Sequence, residues 1–256
     1  MNLNEMKGAY ISYSCTNNFK LKVKRTEERI QEILKKHNNA YVSYSTGKDS
    51  LCMLHLFLSY RNDIPVMFHD SGVELPESYK ILEKIKHDFN LNVNVVGTGT
   101  DVLDIYKKKN VFFFFFDKDF AWNEVMMNPI RAYAKRNNLD LAAIGLRKEE
   151  SKKRKMMIIK NGQYHYCKRN SIYQFYPISE WMGRDVFSYI FFFFLDEYIH
   201  PAYFKNKFVK SSEDIRVSWF CDPTMITRGH FTWLKYYYGD IYRKLICEFP
   251  EIKSYV

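Results

Sequence analysis

Ala40-Tyr41-Val42-Ser43-Tyr44-Ser45-Thr46-Gly47-Lys48-Asp49-Ser50-Leu51-Cys52-Met53 decides the fold. Tyr41, Val42 and Tyr44 form a β-branched and aromatic run that reads as a buried strand over 40–45. The run stops at Ser45-Thr46-Gly47-Lys48-Asp49-Ser50. Leu51, Leu54 and Leu58, with Met53 and Phe57, then recur at helical spacing and predict a helix over 48–61. Strand, small polar turn and helix together make an anion site. The N–H groups of a first helical turn lack intrahelical partners, and the helix dipole adds positive charge there. Gly47 lets the backbone come close to a ligand. Ser45, Thr46 and Ser50 offer hydroxyls, and Lys48 offers a charge. A Walker A loop is excluded, because G-x-x-x-x-G-K-[ST] needs Gly and Ser or Thr where this chain has Val42 and Asp49.

The same alternation continues outward. Val66 to His69 predicts a second strand, Leu75 to Phe89 a helix, Val93 to Val96 a third strand and Leu139 to Gly145 a fourth. Helices are expected over Phe19 to His37, Asp101 to Lys109 and Asn123 to Asn137. Strands alternating with helices over 40–145 call for a parallel sheet covered on both faces, with ligands at the carboxyl ends of its strands. Beyond residue 155 the rhythm changes. Met156 to Lys160 and Tyr164 to Cys167 flank Asn161-Gly162 and predict a β-hairpin. Gln174 to Ile178 reads as a further strand, and Trp181 to Tyr198 as an aromatic-rich helix. Phe191 to Phe194 and Phe112 to Phe116 are apolar on every side, which fits either core packing or a partner interface. The expected organisation is an N-terminal helical segment over 1–39, an α/β domain over 40–190 and a helical C-terminal extension over 191–256.

Three further segments carry chemistry. The second strand ends in His69-Asp70-Ser71-Gly72-Val73-Glu74-Leu75-Pro76-Glu77-Ser78. Asp70 and Ser71 are expected at the sheet edge beside the loop, and Gly72 permits a tight turn. Glu74 and Glu77 fall near a helix start, where capping or solvation accounts for them as well as function does. The fourth strand runs into Gly145-Leu146-Arg147-Lys148-Glu149-Glu150-Ser151-Lys152-Lys153-Arg154. Arginine's planar fork suits phosphate or sulfate oxygens, so Arg147 and Arg154 are candidate clamps at the far end of a nucleotide. Lys152 and Lys153 read as a solvated face. The last segment is Tyr176-Pro177-Ile178-Ser179-Glu180-Trp181-Met182-Gly183-Arg184-Asp185-Val186. Here Trp181 and Val186 are expected to pack and Asp185 to cap or pair.

These four segments, in this order over about residues 40–190, resemble the phosphoadenylyl-sulfate (PAPS) reductase family of adenine-nucleotide α-hydrolase-like enzymes. The loop matches that family's S-x-G-K-D-S pyrophosphate loop. The others resemble D-[ST]-G-x-x-x-P-E-[ST], G-x-R-x-x-E-S-x-x-R and P-[LI]-x-x-W-x-x-x-D-V. The resemblance implies a twisted parallel sheet flanked by helices, Rossmann-like in outline, with ATP or PAPS as the nucleotide and Mg²⁺ on its phosphates. It implies binding by Ser45, Thr46, Gly47, Lys48, Asp49, Ser50, Ser71, Gly72, Gly145, Arg147, Ser151 and Arg154, with Lys48, Asp70 and Arg147 as catalytic candidates. With ATP, attack at the α-phosphate would release pyrophosphate held by the loop, and catalysis would be mainly positional and electrostatic.

The resemblance breaks in two places. Thioredoxin-dependent reductases of the family end in E-C-G-L-H, whereas this chain has Leu245-Ile246-Cys247-Glu248-Phe249-Pro250. Cys247 therefore reads as a helix cysteine rather than a nucleophile. Arg216-Val217-Ser218-Trp219-Phe220-Cys221-Asp222-Pro223 resembles the R-x-x-C-x-x-C-P segment of some relatives, with Ser218 in place of the first cysteine. No iron–sulfur cluster or protein-held metal is expected, Cys221 is expected to be structural, and Arg216 stays a phosphate candidate.

Composition bounds the rest. At 256 residues, 46% hydrophobic, the chain suits one substantial domain. Five cysteines without a C-x-x-C pair, and a polar start, favour a reducing, cytoplasmic setting. The longest apolar run is too short to cross a bilayer. A net charge of +10 favours polyanionic partners. Three readings follow: an enzyme acting at the α-phosphate of an adenine nucleotide on an unidentified acceptor, a PAPS or adenylyl-sulfate reductase, and a nucleic-acid- or partner-binding subunit of a modification or defence assembly. Homo-oligomerisation is compatible with each.

Overall fold

The computed structural model describes residues 3–100, 102–108, 122–205, 207–209, 212, 215, 217–218 and 229–256. Its centre is a six-stranded sheet in the order β3-β2-β1-β4-β6-β5. The strands are β1 (Ala40–Ser43), β2 (Val66–Asp70), β3 (Val93–Gly97), β4 (Leu141–Ile144), β5 (Tyr164–Cys167) and β6 (Ile172–Phe175). All neighbours run parallel except β5 and β6, which pair antiparallel with Tyr166 opposite Tyr173. The expected twisted α/β architecture is the one observed.

The central strand shows why the sequence reads this way. Ala40, Tyr41 and Val42 are all buried, so both faces of β1 are covered and the strand is continuously apolar. Alternate residues feed two cores. Val42, Val66, Phe68, Leu141, Ala143 and Phe175 join the large one. Tyr41, Met67, Val96, Ala142 and Ile172 join a smaller one with Tyr133 and Ala134.

Helices α1 (Leu3–Ser14), α2 (Asn17–Leu34), α3 (Lys48–Leu58), α4 (Pro76–Asp88), α5 (Val102–Lys108), α6 (Asn128–Arg136), α7 (Lys152–Asn161), α8 (Gly183–Phe192), α9 (His230–Tyr237) and α10 (Gly239–Glu248) surround the sheet. Helix α8 packs against α1 and α3. Phe187 and Phe191 of α8 lie 5.4 and 6.0 Å from the Tyr10 ring. Asp185 both caps and pairs: its buried carboxylate accepts from the Met182 N–H, the Tyr13 hydroxyl and Lys22 Nζ at 2.6, 2.8 and 2.6 Å. No described helix is long and apolar enough to cross a membrane.

Several expectations are corrected. Residues 152–161 are a helix, not the first arm of a hairpin, and the true hairpin joins β5 to β6. Asn161-Gly162 ends that helix: Gly162 takes φ 80° and its N–H returns to Ile158 O at 2.9 Å. The strand expected over 174–178 lies at 172–175. The helix expected over 123–137 begins as a π-helical stretch at Trp122–Met127. The aromatic helix stops at Phe192, and the chain turns at Phe194 with φ 56°. Phe191 is therefore buried, while Phe194 is 82% exposed. Phe112 to Phe116 lie outside the described residues.

Candidate functional site

The topology locates the site before any side chain is considered. From β1 the chain moves outward to β2 and β3, then crosses back to β4 on the other side of β1. Ligands of open parallel sheets bind at the carboxyl ends of strands flanking such a reversal. Here those ends lead into 44–50 and 145–151, so both principal motifs meet at one place.

They meet closely. A Cβ at Gly145 would stand 3.2 Å from the carbonyl carbon and oxygen of Asp49 and from Ser50 N. Glycine lets β4 come this near the start of α3 without crowding, where a side chain would require the backbone to give by a few tenths of an ångström. Arg147 reaches across: its Nε donates to Asp49 Oδ1 at 2.5 Å, and Lys48 Nζ donates to Asp49 Oδ2 at 2.7 Å. Arg147 Nη1 also donates to Glu149 Oε2 at 2.6 Å, and that oxygen accepts the Gly183 N–H at 2.7 Å. The Lys48 and Arg147 side chains are 4% and 3% exposed, and Asp49 is 15% exposed.

The electrostatics follow from this packing. Burial alone would raise the Asp49 carboxyl, but Lys48 and Arg147 outweigh it and hold the acid below its usual range. Burial would likewise lower both cations; Asp49 reverses the sign and keeps each more firmly charged. Two cations are thus stored in a desolvated crevice on a carboxylate that an anionic ligand would have to displace or join.

The loop itself is tightly wound. Thr46 takes φ 56°, unusual for a β-branched residue and worth about 1–3 kcal/mol of strain. The Ser45 N–H donates to Ser50 Oγ at 3.1 Å, the two serine hydroxyls lie 3.2 Å apart, and Ser50 Oγ donates to Gly47 O at 2.9 Å. Gly47 and Lys48 are buried under the C-terminal part of the chain. The Lys48 N–H donates to the Tyr203 hydroxyl at 3.2 Å, and the Val217 side chain lies against Gly47. Tyr203 was not foreseen, since it lies 155 positions from Lys48 and has no motif around it.

The remaining candidates fall around this centre. Asp70 Oδ1 accepts from the Gly72 N–H and the Tyr79 hydroxyl, both at 2.8 Å. Gly72 makes the expected turn at φ 82°. Ser71 Oγ donates to Glu74 Oε1 at 2.7 Å. Glu74 is 7% exposed, and burial pushes its carboxyl up to about 7. Among the described residues no hydrogen bond or ion pair joins Asp70 or Ser71 to the Lys48–Asp49–Arg147 cluster. Ser151 caps α7 by accepting from the Arg154 N–H at 3.2 Å. Arg154 is paired with Glu150. Glu77 and Ser78 hold the C-terminal part in place: Glu77 Oε1 accepts from Lys205 Nζ at 2.9 Å and the Tyr238 hydroxyl at 3.0 Å, and Ser78 Oγ lies 3.2 Å from His200 Nε2. Arg216 and Cys221 lie outside the described residues.

No group of three or more His, Cys, Asp or Glu among the described residues is spaced to hold a metal.

Residues 39–208 match the family model described as the phosphoadenosine phosphosulfate reductase domain. A phosphoadenosine 5'-phosphosulfate reductase of Vibrio vulnificus is 26% identical over 191 residues, covering 68% of this chain and 66% of that protein. Among solved structures, the FMN adenylyltransferase of Candida glabrata aligns with a TM-score of 0.56 at 16% identity, over 78% of this chain and 65% of that one. The U34-tRNA thiolase of Methanococcus maripaludis, solved with its 4Fe–4S cluster, aligns with a TM-score of 0.54 at 13% identity, over 93% of this chain and 81% of that one. At these identities the structural likenesses speak to the fold.

Proposed function

The chain belongs to the phosphoadenosine phosphosulfate reductase domain family, and from that premise we propose that it is an enzyme which binds an adenine nucleotide over loop 45–50 and works at its α-phosphate. A substrate nucleophile attacks the α-phosphorus of ATP, the α–β bridging bond breaks, and pyrophosphate leaves with the bonding electrons. The acceptor then keeps the adenylyl group, or a sulfur nucleophile supplied as co-substrate attacks the adenylylated carbon and AMP leaves with the bonding electrons.

One observation carries this reading: the buried Lys48–Asp49–Arg147 cluster at the reversal between β1 and β4. A phosphate chain placed at the start of α3 would draw Lys48 onto its outer oxygens. Arg147, held by Asp49 and Glu149, would face charge developing at the α-phosphate. Fixed donors of this kind in a dry crevice are worth more than in water. Magnesium would enter with the nucleotide and offset phosphate charge. Binding requires Tyr203 to leave the Lys48 N–H, so the segment bearing Tyr203 lifts as the nucleotide enters.

The second reading is a PAPS or adenylyl-sulfate reductase, favoured by the identity with reductase relatives. It needs a thiol that reaches the sulfate sulfur. Cys247 is exposed on α10 beside Glu248, which pairs with Lys107. Cys247 lacks the E-C-G-L-H surroundings of the thioredoxin-dependent reductases, which ranks this reading second.

Calorimetry with ATP and with PAPS, each with Mg²⁺, separates these readings, together with assays for pyrophosphate and sulfite release. Lys48→Ala and Arg147→Ala are expected to weaken ATP binding at least tenfold, while Cys247→Ser leaves turnover unchanged. Sulfite release abolished by Cys247→Ser would reverse the ranking. No heat with either nucleotide would remove both.

A further inference from the structure

From Ser151 to Ser179 the chain contains no Asp or Glu and seven Lys or Arg. They fall on two consecutive elements, helix α7 and the β5–β6 hairpin at the sheet's edge. Lys152, Lys153, Lys155, Lys160, Lys168 and Arg169 are exposed. Arg154 pairs with Glu150, and Arg169 donates to the side-chain oxygen of Asn123 at 2.9 Å.

Helix α7 is hard to explain as scaffold. Ile158 is its one buried residue. Its first turn carries Lys152, Lys153, Arg154 and Lys155 and no acid, although a helix N-terminus favours negative charge. Helix geometry sets Lys152, Met156 and Ile159 on one face, flanked by Lys155 on one side and Lys160 and Lys153 on the other. Met156 is 64% and Ile159 57% exposed. A sequence that breaks the dipole rule, and leaves an apolar stripe between lysines in water, has local choices that its own packing does not reward. An anionic partner laid along the helix would satisfy both features.

The hairpin narrows the chemistry. Tyr164 stacks on Tyr173 at 5.2 Å, and Tyr166 meets the same ring edge-on at 5.2 Å. Tyr166 is 50% exposed, so it presents an aromatic surface pre-oriented by its neighbours. Cations along a helix followed in the chain by a fixed, exposed aromatic ring suit a phosphate backbone with unpaired bases. A membrane surface is disfavoured, because two apolar residues on a ten-residue helix give little to insert.

We propose that α7 and the β5–β6 hairpin form a binding face for single-stranded or looped nucleic acid. Phosphates lie along Lys152, Lys155 and Lys160, and a base stacks on Tyr166. The helix follows directly in the chain on the 145–151 segment of the candidate site, Ser151 being its N-cap. Binding here does not depend on the nucleotide chemistry proposed above. If that reading also holds, the acceptor is a group on the bound nucleic acid.

The test is fluorescence anisotropy with a labelled 20-nucleotide single-stranded RNA and the DNA of the same sequence, over 50–200 mM salt. Polyglutamate and phosphatidylserine vesicles serve as the competing polyanion classes. The full chain is expected to bind RNA or DNA with an affinity that falls steeply with salt. The triple variant Lys152→Glu/Lys155→Glu/Lys160→Glu should lose at least tenfold and show a shallower salt slope by about two to three. Tyr166→Ala should lose about five- to tenfold without changing that slope, a split that a purely electrostatic surface would not give. Preference for RNA over DNA identifies the sugar; either supports the face. Unchanged affinity in the triple variant overturns the inference, as does equal binding to polyglutamate, or binding to vesicles alone. ATP calorimetry on the triple variant should match the parent, so failure of this face and failure of the nucleotide site remain distinguishable.

Discussion

Arg147 Nε sits 2.5 Å from Asp49 Oδ1, although 98 positions separate the two residues. That contact ties the loop after β1 to the loop after β4 and keeps Arg147 charged in a buried crevice. It also makes Asp49 structural as well as electrostatic: removing it would strand two cations away from water.

Asp49→Ala should therefore destabilise the protein by about 3–5 kcal/mol, the range for breaking a buried ion pair from one side. A urea titration checks this. The pH dependence has a definite sign. The folded-state pKa of Asp49 is depressed, so its contribution is present above the unfolded value near 4 and is lost as pH falls toward the folded one. Asp49→Asn should flatten the acid limb of the stability curve. An unchanged limb would mean that the pair is formed equally in the unfolded chain.

Glu74 behaves in the opposite sense. Its folded-state pKa is raised from 4.5 to about 7, so the folded state favours the protonated acid. Stability is lost as pH rises from about 4.5 to 7, by about 3 kcal/mol, and is level above that. Glu74→Gln should be close to the parent at pH 4.5 and more stable at pH 8. Urea midpoints at the two pH values decide it; a parallel offset at both would contradict the assignment.

Two glycines should respond differently to a methyl group. Gly8 lies in α1 with nothing within 4 Å of the added atom, so Gly8→Ala should stabilise by up to about 1 kcal/mol. Gly145→Ala places that atom against three backbone atoms and should destabilise by about 1–3 kcal/mol. It should also weaken nucleotide binding by moving the start of α3. Thermal unfolding and ATP titration of both variants test the pair.

Tyr203→Phe removes the hydroxyl that occupies the Lys48 N–H. One neutral hydrogen bond is worth about 1 kcal/mol, so ATP binding should tighten by up to about fivefold. Weaker binding in calorimetry would mean instead that the hydroxyl contacts the bound nucleotide.

Much of this architecture was legible in the chain. β1 to β4 and their helices follow from apolar periodicity that the packing rewards, and Gly145 and Arg147 are found from the order of motifs. Helix α7 was misread because Met156-Met157-Ile158-Ile159 followed by Asn161-Gly162 has the signature of a hairpin arm and turn. A left-handed glycine closes a helix as readily as it opens a hairpin. Tyr203 was missed for another reason. Its role is created by folding a distant segment over the loop, and no local pattern records that. Glu74 was seen near a helix start, but its burial comes from tertiary packing that spacing does not reveal.

The Lys205–Glu77 and Ser78–His200 links have a thermodynamic consequence for affinity. They hold the segment that carries Tyr203; on the proposed function the receptive conformer would be a minor species, and the observed dissociation constant would exceed the intrinsic one by the inverse of its population. Anything that loosens the clamp, whether a distal ligand or a cut in the chain near residue 205, would sharpen apparent affinity without touching a single phosphate contact.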